Sequence, residues 1–283
     1  MPNIIIPEVF GDAVNASMGV ALRVGRVATD FTDMVEEITQ YGGSVHFPVI
    51  DRISDAEAVT KGVAIVPDAV SMTDAEAEIK QVAKSVRIFD KDQAQVKSAL
   101  KDKMAEQLGQ AMAKAVDRDL VEEMKANAVY QENITELTAG AIEGAFDVFG
   151  DDVDSDSFAG IIINPALRPV ITVMDEFVSA TKTNTAEGNG IVRDGIIGLW
   201  NNIPCIISGN GTSGTISVGG SDKDAKMLFI VKKDALGYVY QKEAQVEEER
   251  EGKLLATDLI ASELYAVKLV KTNGVSVLNV YSA

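Results

Sequence analysis

The chain has one cysteine, Cys205, one histidine, His46, and no apolar run of the ~20 residues that a membrane helix needs. A single cysteine excludes an internal disulfide. Its setting in Ile203-Pro-Cys-Ile-Ile207 reads as a buried apolar thiol and not as a nucleophile, which suits a reducing compartment. With no second histidine, the sequence brings together no Cys/His or Ser/His constellation. The expectation is therefore a non-enzyme with no catalytic residue, cofactor or metal. The N-terminus lacks a basic segment, and its longest apolar run is Ile4-Ile-Ile6, so neither a signal peptide nor a membrane span is expected. Basic residues are also short, 26 against 43 acidic, and the resulting charge of -17 without a basic cluster argues against a module that grips nucleic acid. Finally, no proline occurs between Pro67 and Pro165, which leaves room for a long uninterrupted element.

That element is expected over residues 90–127, as one helix on the order of 55 Å long. Asp90 can cap its start with Gln93 three residues on, and Gly109 is its only glycine, costing about 1 kcal/mol against alanine. Val96, Leu100, Met104, Leu108, Met112, Val116, Leu120 and Met124 recur every fourth residue. A spacing of four against a repeat of about 3.6 makes the stripe precess by roughly 40° per step. Different levels of the helix should then bury against different partners; an ordinary amphipathic helix with a drifting stripe is the plain alternative. Lys114 with Asp117, and Arg118 with Glu122, stand at spacings that suit solvated ion pairs.

The rest of the chain, 283 residues with 46% hydrophobic content, is long enough for two compact units with a core. Residues 1–41 read as an arm: an extended start, a helical pattern through Val9, Ala13, Met18 and Leu22, and a second through Met34, Val35 and Ile38. From Gly42-Gly43 the period becomes two, with Val45, Phe47 and Val49 facing inward and His46 outward. Alternation returns at Ala75, Ala77 and Ile79, which makes a long hairpin too thin in apolar content to stand alone. A parity slip near Gln81 and Val82 indicates a bulge or a change of sheet before Val86 and Ile88. Beyond the long helix, a short helix over 139–149, a buried strand over 158–163 stopped by Asn164-Pro165, a helix over 166–178 and an exposed loop over 181–190 are expected. Strands follow over 195–200, 203–208 and 226–231, with an extended, charged outer strand over 241–251. Residues 264–270 and 275–280 flank Thr272-Asn-Gly274, an Asn-Gly hairpin signal.

Two motifs imitate ligand sites. Gly209-Asn-Gly-Thr-Ser-Gly214 matches G-x-G-x-x-G, but Thr215-Ile-Ser-Val-Gly-Gly220 is not the helix whose N-terminus would hold a phosphate, so the stretch reads as a strand connection. The aspartates from Asp152 to Asp156 resemble the start of a calcium loop, yet Ser157 replaces the turning glycine and Ile163 the closing glutamate; a solvated helix end is expected. The run from Glu247 to Glu251 reads as a solvated or inter-subunit face.

The order of pieces resembles the major capsid proteins of tailed phages with the Hong Kong 97-like fold, over essentially the whole chain. The resemblance rests on Pro7-Glu-Val-Phe10, Ile161-Ile-Ile-Asn-Pro165, Gly195-Ile-Ile-Gly-Leu-Trp-Asn-Asn-Ile-Pro-Cys-Ile-Ile-Ser208, Leu264-Tyr-Ala-Val-Lys-Leu-Val270 and Asn273-Gly-Val-Ser-Val277. It implies an α+β fold with an N-arm (1–41), an extended E-loop hairpin (42–90), a peripheral domain with the spine helix and a long strand (91–127 and 240–262), and an α/β axial domain (128–239 and 263–283). It implies a self-assembling subunit of hexamers and pentamers in an icosahedral virion shell, built in the host cytoplasm. The shell would enclose double-stranded DNA without reading its sequence. The implied partners are further copies, a separate scaffolding protein and a portal, with or without decoration proteins, and no membrane. It places inter-subunit contacts at Pro7, Phe10, Asp51, Arg52, Lys61, Asp68, Glu76, Glu78, Glu248 and Arg250. Some members cross-link an E-loop lysine to an asparagine; Lys61 stands near the loop tip, but the matching asparagine and glutamate motif is missing, so an exposed loop lysine is expected. An encapsulin-type compartment shares the implied fold, and a soluble nucleotide-binding enzyme is the alternative of a different class. Many copies at -17 repel one another, so shell stability should depend on ionic strength or divalent cations.

Overall fold

The computed structural model describes residues 7–33, 43–50, 58, 72–92, 99–151, 153–175, 177–179 and 196–282. A helix, α1, spans Pro7–Ala21 and leads through a 3-10 turn, Val24–Arg26, to a short strand β1, Thr29–Asp30. The face that α1 buries is Phe10, Val14 and Met18, spaced by four; Ala13, expected inside, is exposed because that spacing turns it away. The second arm pattern, at Met34, Val35 and Ile38, lies outside the described residues.

The spine helix α2 runs Ala99–Asn127, residues 90–92 are also helical, and 93–98, with Gln93 and Val96, lie outside the described residues. Leu108, Met112, Val116, Leu120 and Met124 are all buried, and the partners change along the axis as a precessing stripe requires. Near its middle α2 meets α1 at Gly109, where an added Cβ would lie 2.6 Å from the Val14 carbonyl oxygen and 2.8 Å from the Ser17 Cβ. The glycine is thus a crossing point of two helices. About two turns on, Asp117 is not a solvated partner of Lys114. It is buried and accepts hydrogen bonds from the Arg23 and Gly25 backbone N–H groups at 3.1 and 3.0 Å. Arg118 stands 4.0 Å from Asp119, its neighbour, and Asp119 itself is buried.

Strands β2 (Ser44–Ile50) and β3 (Met72–Glu78) form an antiparallel pair, Phe47 opposite Ala75. Val45 and Phe47 are buried and His46 is exposed, as the alternation indicates. The foot of this hairpin rests on its own chain: Phe47 meets Phe31 edge to face, ring centroids 5.6 Å apart, and Phe31 covers Gly237, where a Cβ would come within 2.7 Å of the ring. After Ile79 the chain changes sheet. Strand β4 (Lys80–Phe89) joins a four-stranded sheet whose order, with β12 (Leu236–Glu251) and β13 (Ala256–Leu269), is β1-β12-β13-β4. Beyond Tyr238, the last residue that β1 pairs, β12 is an outer strand as expected.

The second sheet contains β5 (Tyr130–Ile134), β6 (Phe158–Ile163), β7 (Phe177–Ser179), β8 (Ile196–Trp200), β9 (Ile203–Ile207), β10 (Ser213–Val218), β11 (Ser221–Lys232) and β14 (Val275–Tyr281). Its order is β5-β14-β11-β6-β9-β8-β7, with β10 paired to β11. Both faces are covered, which explains the unbroken apolar run of β6: Ile162, Ile206 and Phe229 face the spine, while Ile161, Ile163 and Ile230 face α3 (Ala139–Asp147) and Trp200. Thr138 caps α3 through its side chain, and Gly150 ends that segment at φ 61°. The β8–β9 turn is Asn201-Asn202, both at positive φ, as a two-residue hairpin requires.

Two further expectations fail. Residues 166–178 do not form a helix: a 3-10 turn, Pro165–Leu167, and one helical turn, Arg168–Ile171, precede β7. Pro169 lies in the first turn, where its missing N–H is tolerated, but Val170, Ile171, Thr172 and Val173 are all β-branched and weaken the helix, which favours an early stop. Asn273-Gly274 also joins no hairpin, because β13 pairs with β12 and β4 whereas β14 pairs with β11 and β5. The turn hands the chain from one sheet to the other, and Gly274 is needed because a Cβ there would lie 2.5 Å from the Ala235 Cβ. The boundary expected between 262 and 263 accordingly falls inside β13, one continuous strand. The loop expected over 181–190 lies outside the described residues.

Candidate functional site

Among the described residues, Cys205 and His46 stand apart, one buried in β9 and the other exposed on β2. Cys205 is buried, and desolvation pushes its thiol up to about 12, which keeps it protonated and inert. Among the described residues no group of three or more His, Cys, Asp or Glu side chains is placed to hold a metal. None of the described helices is long and apolar enough to cross a membrane.

The glycine motif has a packing role. After β9 the chain enters strand β10 and not a helix, so no helix N-terminus faces a ligand. Gly211, at φ 75°, lies against the spine, where an added Cβ would come within 3.3 Å of Val121 Cγ1. From the spine, Lys125 Nζ donates to the Gly211 and Ser213 carbonyl oxygens at 3.1 and 3.2 Å. Behind this loop Asn164 is buried. Its Nδ2 reaches the Thr212 carbonyl oxygen, Thr212 Oγ1 and Ser213 Oγ at 2.9 to 3.0 Å, while its Oδ1 accepts from the Ala166 N–H. Asn164 thus does more than stop β6; it locks the glycine loop to the second sheet.

The surfaces that remain suit association. A cleft of about 1220 Å³ opens between α1, the middle of the spine and residues 207–210, with Arg23, Lys114 and Arg168 on its walls and Val20 at its rim. At the far end of the four-stranded sheet, Arg250 grips Asp90 through two hydrogen bonds of 2.6 and 2.7 Å, and Arg87 grips Asp258 through two of 2.7 Å. Each carboxylate is held below its usual range, first by the hydrogen bond from its arginine. Asp90 is therefore committed to Arg250, and its backbone N–H goes to the Leu255 carbonyl oxygen. Around these clamps Phe89, Leu254 and Leu255 expose apolar surface beside the exposed acids Glu247, Glu248 and Glu249.

Of the expected contact residues, Glu76, Glu78, Glu248 and Arg250 are exposed. Phe10, at 7% exposure, is packed into its own chain's core beside Val14 and leaves little side chain for a neighbour. Pro7 begins α1. Asp51, Arg52, Lys61 and Asp68 lie outside the described residues. Sequence reasoning missed the roles of Asp117 and Asn164 and passed over Glu263, a buried carboxyl of β13; an acid inside an apolar stripe was the available signal for the first and third.

No family model matches the chain. It is similar to a protein named "Major capsid protein" from Staphylococcus phage phiMR11, at 26% identity over 287 residues, covering 96% of this chain and 95% of the relative. Among solved structures it is similar to the capsid of Ralstonia phage GP4, with 14% identity, a TM-score of 0.67 and 91% and 87% of the two chains covered. It is also similar to the virus-like particle from Pyrococcus furiosus, with 12% identity, a TM-score of 0.58 and 96% and 98% covered. The fold is Hong Kong 97-like.

Proposed function

We infer that this chain is the major capsid protein of a tailed phage: a structural subunit of the virion, not an enzyme, that associates with copies of itself into a shell. The observation that carries this reading is continuity, since the similarity runs through arm, hairpin, spine and both sheets and leaves no separate module to be explained.

On this reading residues 1–41 are the N-arm and 42–79 the E-loop, whose thin apolar content is offset by lying across a neighbour. Strand β4, the spine, β12 and β13 make the peripheral domain, because β4 and β13 share one ladder. The second sheet makes the axial domain at the centre of hexamers and pentamers. Contacts between copies use Pro7, the loop residues Asp51, Arg52, Lys61 and Asp68, the hairpin acids Glu76 and Glu78, and the sheet end at Glu248 and Arg250. A separate scaffolding protein and a portal direct closure in the host cytoplasm, and the negative chain encloses double-stranded DNA without gripping it. A protein compartment is the second reading, favoured by the likeness to the Pyrococcus furiosus particle. The contents of the shell decide between them, DNA for a phage head and a packaged enzyme for a compartment.

Sedimentation velocity of the chain, alone and with a candidate scaffold, followed by electron microscopy of the fast species, tests the reading. Rings, tubes or shells are expected. A compact monomer or dimer under both conditions that melts higher with a dinucleotide would overturn it.

A further inference from the structure

Glu263 lies in the wrong company. Along β13, Leu259, Ala261, Tyr265, Val267 and Leu269 are buried in the core that contains the spine helix, and Glu263 falls in the same alternating series with no exposed surface. Neither carboxylate oxygen has a hydrogen-bond partner among the described residues. A buried ion left like this is costly, and proteins ordinarily avoid it by pairing or neutralisation.

Among the described residues no cation pairs with it. On β4 the residue opposite is Val82; Lys84 is exposed, and the Lys80 ammonium goes to Asp119 at 3.0 Å. On β12 the ladder is broken opposite Glu263: register shifts fall between Tyr240 and Lys242 and between Lys242 and Gln245, Lys242 pairs with Leu264, and Glu243 is exposed. From the spine come Asp119 and Arg118, the former taking the Tyr265 hydroxyl hydrogen at 3.1 Å. Helix α1, packed along β12, adds only Asp12 among its described side chains, and that is exposed. What remains near the carboxyl are two phenols. Tyr265 and its cross-strand partner Tyr240 both feel its charge, and the Tyr240 hydroxyl is itself buried without a partner. Tyr238 and Asp30 lie beyond Tyr240.

We propose that Glu263 is a proton-operated latch between the four-stranded sheet and the spine helix, closing the contact when it carries a proton and loosening it at the broken ladder when it does not. The protonated carboxyl gains a donor, for which the Tyr240 and Tyr265 oxygens are the acceptors at hand, and it no longer buries a charge. Burial alone raises this carboxyl from 4.5 to about 7, so the latch changes state near neutrality. Because the folded value lies above the unfolded one, the stabilisation is complete below the unfolded value and is lost as pH rises through about 7. The bulged β12 is where the sheet gives way, since its ladder is already interrupted there.

The test combines infrared titration with hydrogen exchange on the full chain, between about pH 5 and pH 9. A protonated-carboxyl carbonyl band is expected to vanish near neutrality and to be absent from Glu263→Gln. After correction for intrinsic exchange, protection of residues 259–267 and 112–124 should fall with rising pH in the native chain and stay level in Glu263→Gln. Across that window the loss can reach about 80-fold, because part of the roughly 300-fold that a rise from 4.5 to about 7 carries in full falls below pH 5. If the glutamine variant does not fold, Glu263→Leu is read in the same way. An unchanged carboxyl band in the variant, or the same pH profile of protection in variant and native chain, overturns the latch.

Discussion

The Asp117 carboxylate, on the spine helix, accepts the backbone N–H of Gly25 at 3.0 Å across 92 positions of sequence, and it takes the Arg23 N–H with its other oxygen. One acidic side chain so satisfies two donors of the turn that ends the arm helix, from inside the core and with its own pKa raised by burial. Asp117→Ala leaves both donors unpaired and should cost about 2–3 kcal/mol, whereas Asp117→Asn keeps one acceptor and should cost about half as much. Denaturant melts of the two variants check the order; equal losses would contradict it.

Gly109→Ala sets two effects against each other. Alanine is the better helix former by about 1 kcal/mol, but the new methyl would meet the Val14 carbonyl oxygen at 2.6 Å, and that atom is backbone and cannot step aside. The clash should win by about 1–3 kcal/mol and free α1 from the spine. Limited proteolysis should then cut near residue 17 in the variant and spare the native chain.

The clamps Asp90–Arg250 and Arg87–Asp258 predict a local response to acid. Both carboxylates titrate below their usual range, so their contribution is present above that range and disappears as pH falls through the lowered values. Exchange at residues 250–258 should accelerate in acid in the native chain. An Arg87→Met, Arg250→Met double variant should lose most of that pH dependence while keeping nearly the same melting temperature at neutrality, because exposed pairs contribute little there.

A net charge of -17 on every copy should make assembled particles melt higher as salt or divalent cations are added, and lower after chelation. Scanning calorimetry across a salt series reads this directly. A flat series would mean that neighbouring copies already neutralise one another through paired patches.

Legibility in the sequence followed the range of the interaction. The stripe from Leu108 to Met124, the buried run Phe158–Ile163 and the alternation through Val45 and Phe47 declare themselves because burial imposes a period on neighbouring residues. The Asn273-Gly274 turn misled because the dipeptide fixes a local backbone path and says nothing about which ladder each flank will join. Asp117 was read from its spacing to Lys114, although its true partners lie more than 90 positions away and are backbone groups that carry no sequence signal. Gly109 was read as a cost for the same reason: the helix that crosses it is remote in sequence. Of the residues expected at contacts, the acids of β3 and β12 stand exposed, whereas Phe10 became interior only once α1 lay on the spine.

The hairpin that β2 and β3 begin has its two feet on opposite margins of one sheet: the chain leaves from β1 at one edge and returns as β4 at the other, with β12 and β13 between them. A pull on the hairpin by an attached body is therefore shared like a load on a bridle, one rein to each margin. The central pair β12 and β13 lies between the two reins, so each margin passes its share of the load to the same two strands.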